Sequence, residues 1–136
     1  MIVLDSSGAI ALMNREDSSH VRAQTILRTT RGPLVVPTCI LAEICYVLER
    51  RAGHRQVDSL IGALAEGSLM TDCGEHDFDR IRQLVARYQD LPLGFADAAL
   101  IACGERLHAP VLTFDLRHFP VVAREGTFRI AGENGP

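Results

Sequence analysis

The sequence predicts one α/β domain with three layers: a central, mostly parallel sheet of four or five strands and helices on both faces. The 136 residues suffice for a single hydrophobic core. Short, almost wholly apolar runs such as "MIVL" and "PVLTF" alternate with helical segments, as buried parallel strands do. No repeat, linker or low-complexity tract divides the chain. We therefore expect one domain over residues 1–136, with about the last ten residues forming a tail.

The strands are predicted from apolar runs bounded by turn residues. The first is "MIVL", and the second is "LVV" after the Gly32-Pro33 break. "SLMTDC" and "PVLTF" supply the third and fourth, and "TFRIA" is a candidate for a short fifth. Right-handed crossovers bring the carboxyl ends of parallel strands to one edge of the sheet, where α/β proteins bind their ligands.

Helices are predicted where apolar residues recur every three to four positions. They cover residues 7–13, 19–29, 38–51, 56–67, 75–89 and 95–107. In the second helix, Val21, Ile26 and Leu27 are expected to face the core. The acidic run over residues 75–79 is interpreted as the polar, dipole-favoured start of the fifth helix.

Composition excludes several classes of protein. No apolar run reaches the roughly 18 residues that a membrane helix needs, and the amino terminus lacks the basic segment of a signal peptide. The four cysteines form no C-x-x-C pair and lie in apolar segments, so they are interpreted as core thiols. We expect a cytoplasmic protein without a membrane partner.

All 14 basic residues are Arg, because the chain has no Lys. This excludes a Walker-type phosphate loop and a Schiff-base lysine, and it leaves phosphate recognition by Arg open. The net charge of −3 argues against a nucleic-acid binder. If four of the 17 acids hold cations, 13 acids remain against 14 Arg, a balance of +1 that no longer disfavours nucleic-acid binding.

Four acids are each the only charge in an apolar segment. Asp5 ends "MIVL" and Asp115 ends "VLTF", so both lie at predicted strand ends. Asp97 falls in the first turn of a helix, after the break at Gly94. Glu43 is about a turn and a half into the helix after the second strand. The fold would bring all four near the same edge of the sheet.

An isolated buried carboxylate costs several kcal/mol unless it is paired or neutralised. Four gathered carboxylates repel one another, and a divalent cation reverses the sign of that interaction. Oxygen-only ligands favour Mg²⁺ or Mn²⁺, which usually act on phosphates. The four acids therefore predict a metal-dependent phosphoryl or phosphodiester enzyme.

Each acid taken alone has an ordinary alternative explanation. Asp5 could cap a helix, and Asp97 could serve the dipole of its helix. Glu43 could pair with a buried Arg, and Asp115 could begin a turn.

The neighbours of these acids extend the candidate site. Thr113 lies two residues before Asp115, so both side chains would point to the same face of a strand and Thr113 could hydrogen-bond a carboxylate or a bound water. Ser6 is either a supporting hydroxyl or a cap. Arg117 could hold a phosphate, and His118 is expected to pack or hydrogen-bond rather than catalyse.

The ordered set of four acids resembles that of the PIN-domain ribonucleases, and most closely that of the VapC-type toxins of bacterial VapBC toxin–antitoxin pairs. "VLDSSG" resembles their opening strand and turn, and "PTCILAEICYVLERR" their glutamate helix. "LPLGFADAALIACGERLHAPVLTFDLRHF" resembles their carboxyl-terminal motif region. The likeness extends to about residue 123.

The resemblance implies a PIN-like fold and an Mg²⁺- or Mn²⁺-dependent endoribonuclease, the toxin of a type II module, that cleaves structured RNA such as tRNA or rRNA. It implies a homodimer and inhibition by a cognate VapB-type antitoxin. The implied site residues are the metal-binding and catalytic acids Asp5, Glu43, Asp97 and Asp115, with Thr113 and Ser6 beside them.

Three other classes of protein have sequence requirements that can be compared with this chain. A phosphatase of small phosphoesters with an aspartyl nucleophile needs a second Asp two residues after the first, where this chain has Ser7. A receiver domain needs a paired acid and a late Lys, and the chain has no Lys. A non-catalytic RNA- or protein-binding module on the same fold stays open.

Overall fold

The computed structural model describes residues 1–133, which form one four-stranded sheet with seven helices around it. All strand pairs are parallel, and the strands lie in the order β3-β2-β1-β4. The strands are Ile2–Leu4 (β1), Leu34–Pro37 (β2), Leu69–Asp72 (β3) and Val111–Leu112 (β4). The predicted α/β class is confirmed, with four strands.

Six of the seven helices were predicted, with shifts of a few residues at their ends. The helices are Ser6–Met13 (α1), His20–Thr29 (α2), Leu41–Ala52 (α3), His54–Glu66 (α4), Phe78–Arg87 (α5), Phe95–Leu107 (α6) and Phe119–Ala123 (α7). A 3₁₀ turn, Thr38–Ile40, precedes α3. The five residues of α7 are too few to show a helical period in the sequence, and Pro120 is accommodated in its first turn.

The connections place the helices in two layers. The chain moves outwards from β1 to β2 and β3 and returns to the other side of β1 with β4. Right-handed crossovers then put α1 to α4 on one face of the sheet and α5 and α6 on the other. The packing agrees, because α1 contacts α2, α3 and α4, while α5 contacts α6. Thus β1 and β4 flank the reversal of strand order, which is where open α/β sheets bind ligands.

Helices α1 and α6 pack directly against β4 and fix its position. A Cβ at Gly8 of α1 would lie 2.3 Å from the Leu112 carbonyl oxygen. A Cβ at Gly104 of α6 would lie 2.9 Å from Val111 Cγ2. Residues 98–104 of α6 are all buried, which explains the long apolar run in the sequence there.

Two expectations about the end of the chain are corrected. The candidate fifth strand is reduced to a single parallel bridge between Val111 and Ile130, with hydrogen bonds from Val111 N to Arg129 O and from Ala131 N to Val111 O, both 2.8 Å. Phe128, Ile130 and Ala131 are buried, so these residues are part of the core and not a tail. The last three residues of the expected tail lie outside the described residues.

The prediction that Val21 faces the core is wrong: it is 74% exposed, whereas Ile26 is buried as expected. Helix α2 packs chiefly on α1, so it buries only the narrow stripe that contains Ala23 and Ile26. Within residues 1–133, no helix has the length and apolarity to cross a membrane.

Candidate active site

Asp5 is the most deeply buried acid of the candidate site, with 7% of its surface exposed. It follows β1 directly and stands at the N-cap position of α1, but its side chain makes no capping hydrogen bond. The alternative that Asp5 is only a helix cap is therefore wrong. Among the described residues, no Arg or His nitrogen lies within 4.0 Å of its carboxylate, so Asp5 is buried without a cationic partner.

Hydroxyl groups hold the Asp5 carboxylate. Ser7 Oγ donates to Asp5 Oδ2 at 2.7 Å, and Thr113 Oγ1 donates to the same oxygen at 2.8 Å. Two backbone N–H groups complete the network: Phe114 N donates to Ser7 Oγ at 2.9 Å, and Asp115 N donates to Thr113 Oγ1 at 3.1 Å. Each hydroxyl has one hydrogen, so the donation runs from backbone N–H through hydroxyl to carboxylate. The network joins the ends of β1 and β4.

Ser6 has a smaller part than predicted. Its Oγ donates to Asp5 Oδ1 at 3.3 Å, which is long for a bond between oxygens. The hydroxyl that connects the two strand ends is that of Ser7, which is not among the predicted site residues. The available signal was an acid at a strand end followed by two serines. The sequence does not show which serine hydroxyl bonds both the acid and the neighbouring strand end.

Asp115 lies beyond β4 and is held by Arg117. Its Oδ1 accepts hydrogen bonds from the backbone N of Arg117 at 3.1 Å and from Nε at 2.9 Å, and its Oδ2 pairs with Nη2. The guanidinium hydrogen bonds outweigh partial burial and lower the pKa of Asp115 to about 2. The alternative explanation that Asp115 begins a turn thus describes the local geometry correctly. The Arg117 side chain is 78% exposed and is used here as the partner of Asp115.

Asp97 lies in the first turn of α6, where the helix dipole favours a negative charge. Its Oδ2 is 2.9 Å from Nδ1 of His118. The expectation that His118 hydrogen-bonds is confirmed. The hydrogen bonds between Asp115 and Arg117 dominate the pKa shifts of both groups; Asp97 adds a smaller contribution for Arg117 and His118 adds one for Asp115. Asp97 and Asp115 therefore share one electrostatic environment around the segment between β4 and α7.

Glu43 differs from the three aspartates. It lies in the first turn of α3, six residues after the end of β2, and its side chain is exposed. Within residues 1–133 it makes no ion pair, so the alternative of a buried Glu43–Arg pair is wrong. No hydrogen bond in the described residues connects it to Asp5, Asp97 or Asp115.

The donor set fits a hard divalent cation bound through few direct protein contacts. In residues 1–133, no three Asp, Glu, His or Cys side chains are close enough to form a complete metal shell. Oδ1 of Asp5 accepts only the long bond from Ser6, and Oδ1 of Asp97 accepts none from the described residues. Mg²⁺ usually keeps several waters and takes one or two carboxylates together with substrate phosphates. Oδ1 of Asp5 and Oδ1 of Asp97 are carboxylate oxygens that suit this kind of Mg²⁺ binding.

A second acidic cluster is structural. Asp77 is 6% exposed and accepts Nε of Arg106 at 2.8 Å on Oδ1 and Nη2 at 3.0 Å on Oδ2. Arg106 also pairs with Asp72 at the end of β3. The interpretation of Asp77 as part of a polar helix face is therefore wrong, because it connects the start of α5 to the end of α6.

Comparison with known proteins agrees with this arrangement. The family model described as PIN domain matches residues 2–125. The chain is 28% identical over 120 residues to Ribonuclease VapC26 of Mycobacterium tuberculosis, covering 87% of this chain and 89% of that protein.

Among solved structures, the chain is similar to VapC20 of Mycobacterium tuberculosis, described as a sarcin-ricin loop cleaving toxin. The TM-score is 0.77 at 20% identity, over 89% of this chain and 95% of that one. The predicted PIN-like fold and the resemblance to VapC proteins are thereby confirmed. With a family model matching nearly the whole described chain, this protein belongs to the PIN domain family.

Proposed function

We propose that this protein is an Mg²⁺- or Mn²⁺-dependent endoribonuclease, the toxin of a type II toxin–antitoxin module, and that it cleaves structured RNA such as tRNA or rRNA. The observation that carries the proposal is Asp5, a buried acid with hydroxyl donors and no cationic partner in residues 1–133, at the carboxyl edge of the sheet. The names of the relatives, a ribonuclease and a sarcin-ricin loop cleaving toxin, support the same activity.

The bound cation would supply an activated water and stabilise charge on the scissile phosphate. Asp5 and Asp97 would hold it directly, with Asp115 and Glu43 acting through water molecules. The hydroxyls of Ser7 and Thr113 fix the Asp5 carboxylate in one orientation, because both donate to Oδ2. His118 likewise fixes the orientation of the Asp97 carboxylate through its hydrogen bond with Oδ2. In both acids the second oxygen is the one left to face a ligand.

Arg117 would bind the substrate. Its guanidinium is exposed and pairs with Asp115 in this structure, and a phosphate offers the same two-oxygen geometry as that carboxylate. In-line attack by water would leave a 5′-phosphate and a 3′-hydroxyl. A reaction through the 2′-hydroxyl would instead leave a cyclic phosphate.

The test is end-mapping of bacterial total RNA after incubation with the protein, in Mg²⁺ or Mn²⁺ and in EDTA. Asp97→Asn is compared with Asp79→Asn, the same substitution in the first turn of α5, where the side chain is exposed. We expect new 5′-phosphate ends that require the cation, disappear in Asp97→Asn and persist in Asp79→Asn. Full activity of a folded Asp97→Asn protein would reject the assigned site. Metal-independent cyclic-phosphate ends would reject the chemistry.

A second candidate is a non-catalytic RNA- or protein-binding module on this fold. It is favoured by the observation that residues 1–133 contain no ready-made group of three metal ligands. RNA binding without cation-dependent cleavage would support it. Cleavage of a small phosphoester, but of no RNA, would favour a metal-dependent phosphohydrolase.

The partners proposed with this function are a cognate VapB-type antitoxin and a second copy of the chain in a homodimer, in the cytoplasm. Co-expression with a candidate VapB-type antitoxin, followed by purification and light scattering, would test the antitoxin and the dimer together. A homodimer without antitoxin would show as twice the 14.9 kDa chain mass.

A further inference from the structure

Arg22 of α2 lies against the segment that carries two of the site residues. Its guanidinium carbon is 5.8 Å from the ring centroid of Phe114. Phe114 stands between Thr113 and Asp115, and its backbone N donates to Ser7 Oγ at 2.9 Å. Arg22 therefore contacts the ring of a residue whose backbone N–H belongs to the hydroxyl network that holds Asp5.

The donors of this guanidinium are not engaged by protein acceptors. In the part of the chain that the structure describes, Arg22 makes no ion pair and no side-chain hydrogen bond. Arg117, which also belongs to this site, is by contrast paired with Asp115. Farther away, Arg80, Arg87 and Arg106 are each paired with a carboxylate. Arg22 is exposed and held by its contact with Phe114 rather than by an acid.

We propose that Arg22 binds a backbone phosphate of the RNA strand beside the scissile bond, with Phe114 positioning the guanidinium. The inference rests on the function proposed above and names a substrate contact for the same site. A planar guanidinium with unused donors suits a phosphate, which accepts two parallel hydrogen bonds. The contact with the ring reduces the freedom that the long side chain would lose on binding.

The charge distribution supports a phosphate as the ligand. The chain carries a net charge of −3, so RNA must approach through local positive positions. Arg22 supplies one that is not neutralised by a neighbouring acid in residues 1–133. An acidic group of an antitoxin could satisfy the same donors, and the experiment separates that case from RNA.

The experiment measures binding of a fluorescent RNA hairpin with a single-stranded loop over a series of salt concentrations. All proteins carry Asp97→Asn to prevent cleavage. The variants are Arg22→Gln and the matched control Arg28→Gln, which removes the same charge from an exposed position of the same helix. We expect Arg22→Gln to raise Kd roughly tenfold at low salt and to reduce the slope of log Kd against log salt by about 0.7. Arg28→Gln should leave the slope unchanged.

Phe114→Leu separates positioning from charge. It keeps an apolar side chain and the Arg22 cation, so the salt slope should be retained. Without the ring the guanidinium is less ordered, and Kd should rise roughly two- to fourfold. Circular dichroism and thermal unfolding check that each variant is folded.

Equal Kd values and salt slopes for Arg22→Gln and Arg28→Gln would overturn the proposal and leave Arg22 free for a protein partner. Absence of oligonucleotide binding by the Asp97→Asn parent would overturn it as well. If the protein with Asp97 intact cleaves no RNA but Arg22→Gln still lowers the salt slope, the nuclease assignment fails and the phosphate contact stands.

Discussion

Asp5 and Asp115 follow neighbouring strands, yet their carboxylates are held in different ways. Asp5 is buried and receives hydroxyl hydrogen bonds, whereas Asp115 is partly exposed and is paired with Arg117. An isolated buried acid must be neutralised, and Asp5 is such an acid. Glu43 is not, because its side chain is exposed.

Ser7→Ala should lower the free energy of unfolding by about 1–3 kcal/mol. The substitution removes a donor from the buried Asp5 carboxylate and the acceptor of Phe114 N–H, and unpaired buried polar groups are costly. Ser6→Ala is the control, because its single bond to Asp5 is long. Urea unfolding of both variants measures the difference, and equal stabilities would show that the Ser7 network contributes nothing.

Arg117→Ala should raise the pKa of Asp115 from about 2 towards its ordinary value of 3.8, because it removes the guanidinium hydrogen bonds. A depressed pKa in the folded state stabilises the protein above the unfolded pKa, and this stabilisation is lost as the pH falls from about 4 through about 2. The stability difference between parent and variant should therefore be constant above pH 5 and shrink below pH 4.

Carboxyl-carbon NMR titration measures the pKa directly, and urea unfolding at several pH values measures the linkage. An unchanged Asp115 pKa in Arg117→Ala would mean that the ion pair does not form in solution.

At the scale of elements, the site depends on how closely α1 approaches β4. The network between Ser7 and Thr113 forms because the first turn of α1 lies against the end of β4. Gly8 makes this approach possible: a Cβ there would overlap the Leu112 carbonyl group. Backbone atoms cannot move aside as a flexible side chain can, so the two elements would have to separate.

Gly8→Ala should destabilise the protein by about 3 kcal/mol, since overpacking against backbone outweighs the gain in helix propensity. Gly62→Ala in α4 is the matched control, because no atom of residues 1–133 lies within 4 Å of a Cβ there. It should stabilise the protein by about 0.5–1 kcal/mol. Thermal unfolding of the two variants should show shifts of opposite sign, and a stabilised Gly8→Ala protein would contradict the close packing.

At the scale of the whole molecule, one apolar surface is exposed on the layer formed by α5 and α6. Phe78, Val85 and Phe95 are 60%, 37% and 52% exposed and line a groove of about 580 Å³. The period of apolar residues in α5 predicts a core stripe of Phe78, Ile81, Leu84, Val85 and Tyr88. Ile81 and Leu84 are buried as predicted, whereas Phe78 and Val85 are exposed and line this groove.

If the proposed homodimer forms through this surface, the Val85→Arg protein should be a monomer. A charged side chain in an apolar interface must be desolvated without a partner, which weakens association. Val21→Arg on α2 is the control, since Val21 is 74% exposed and lies on another element. Light scattering measures the mass of each variant. A Val85→Arg protein that remains dimeric would place the interface elsewhere.

The sequence by itself determined the strands, six of the seven helices and the order in which the four acids occur. The spacing of apolar residues and the length of apolar runs are local properties, so they can be recognised without knowing which residues become neighbours in the fold. Asp5, Asp97, Thr113 and Asp115 could be selected because each interrupts or ends an apolar segment, and a polar group in such a segment needs a reason.

Only the tertiary structure decided which partner each acid takes. Ser7 rather than Ser6 reaches across to Thr113, His118 orients Asp97, and Arg22 lies on Phe114 from another helix. These contacts join residues 21 to 106 positions apart, and their geometry depends on how closely the layers pack. Close approaches between elements, such as that of Gly8 to the Leu112 carbonyl group, are not encoded in any local pattern of residues.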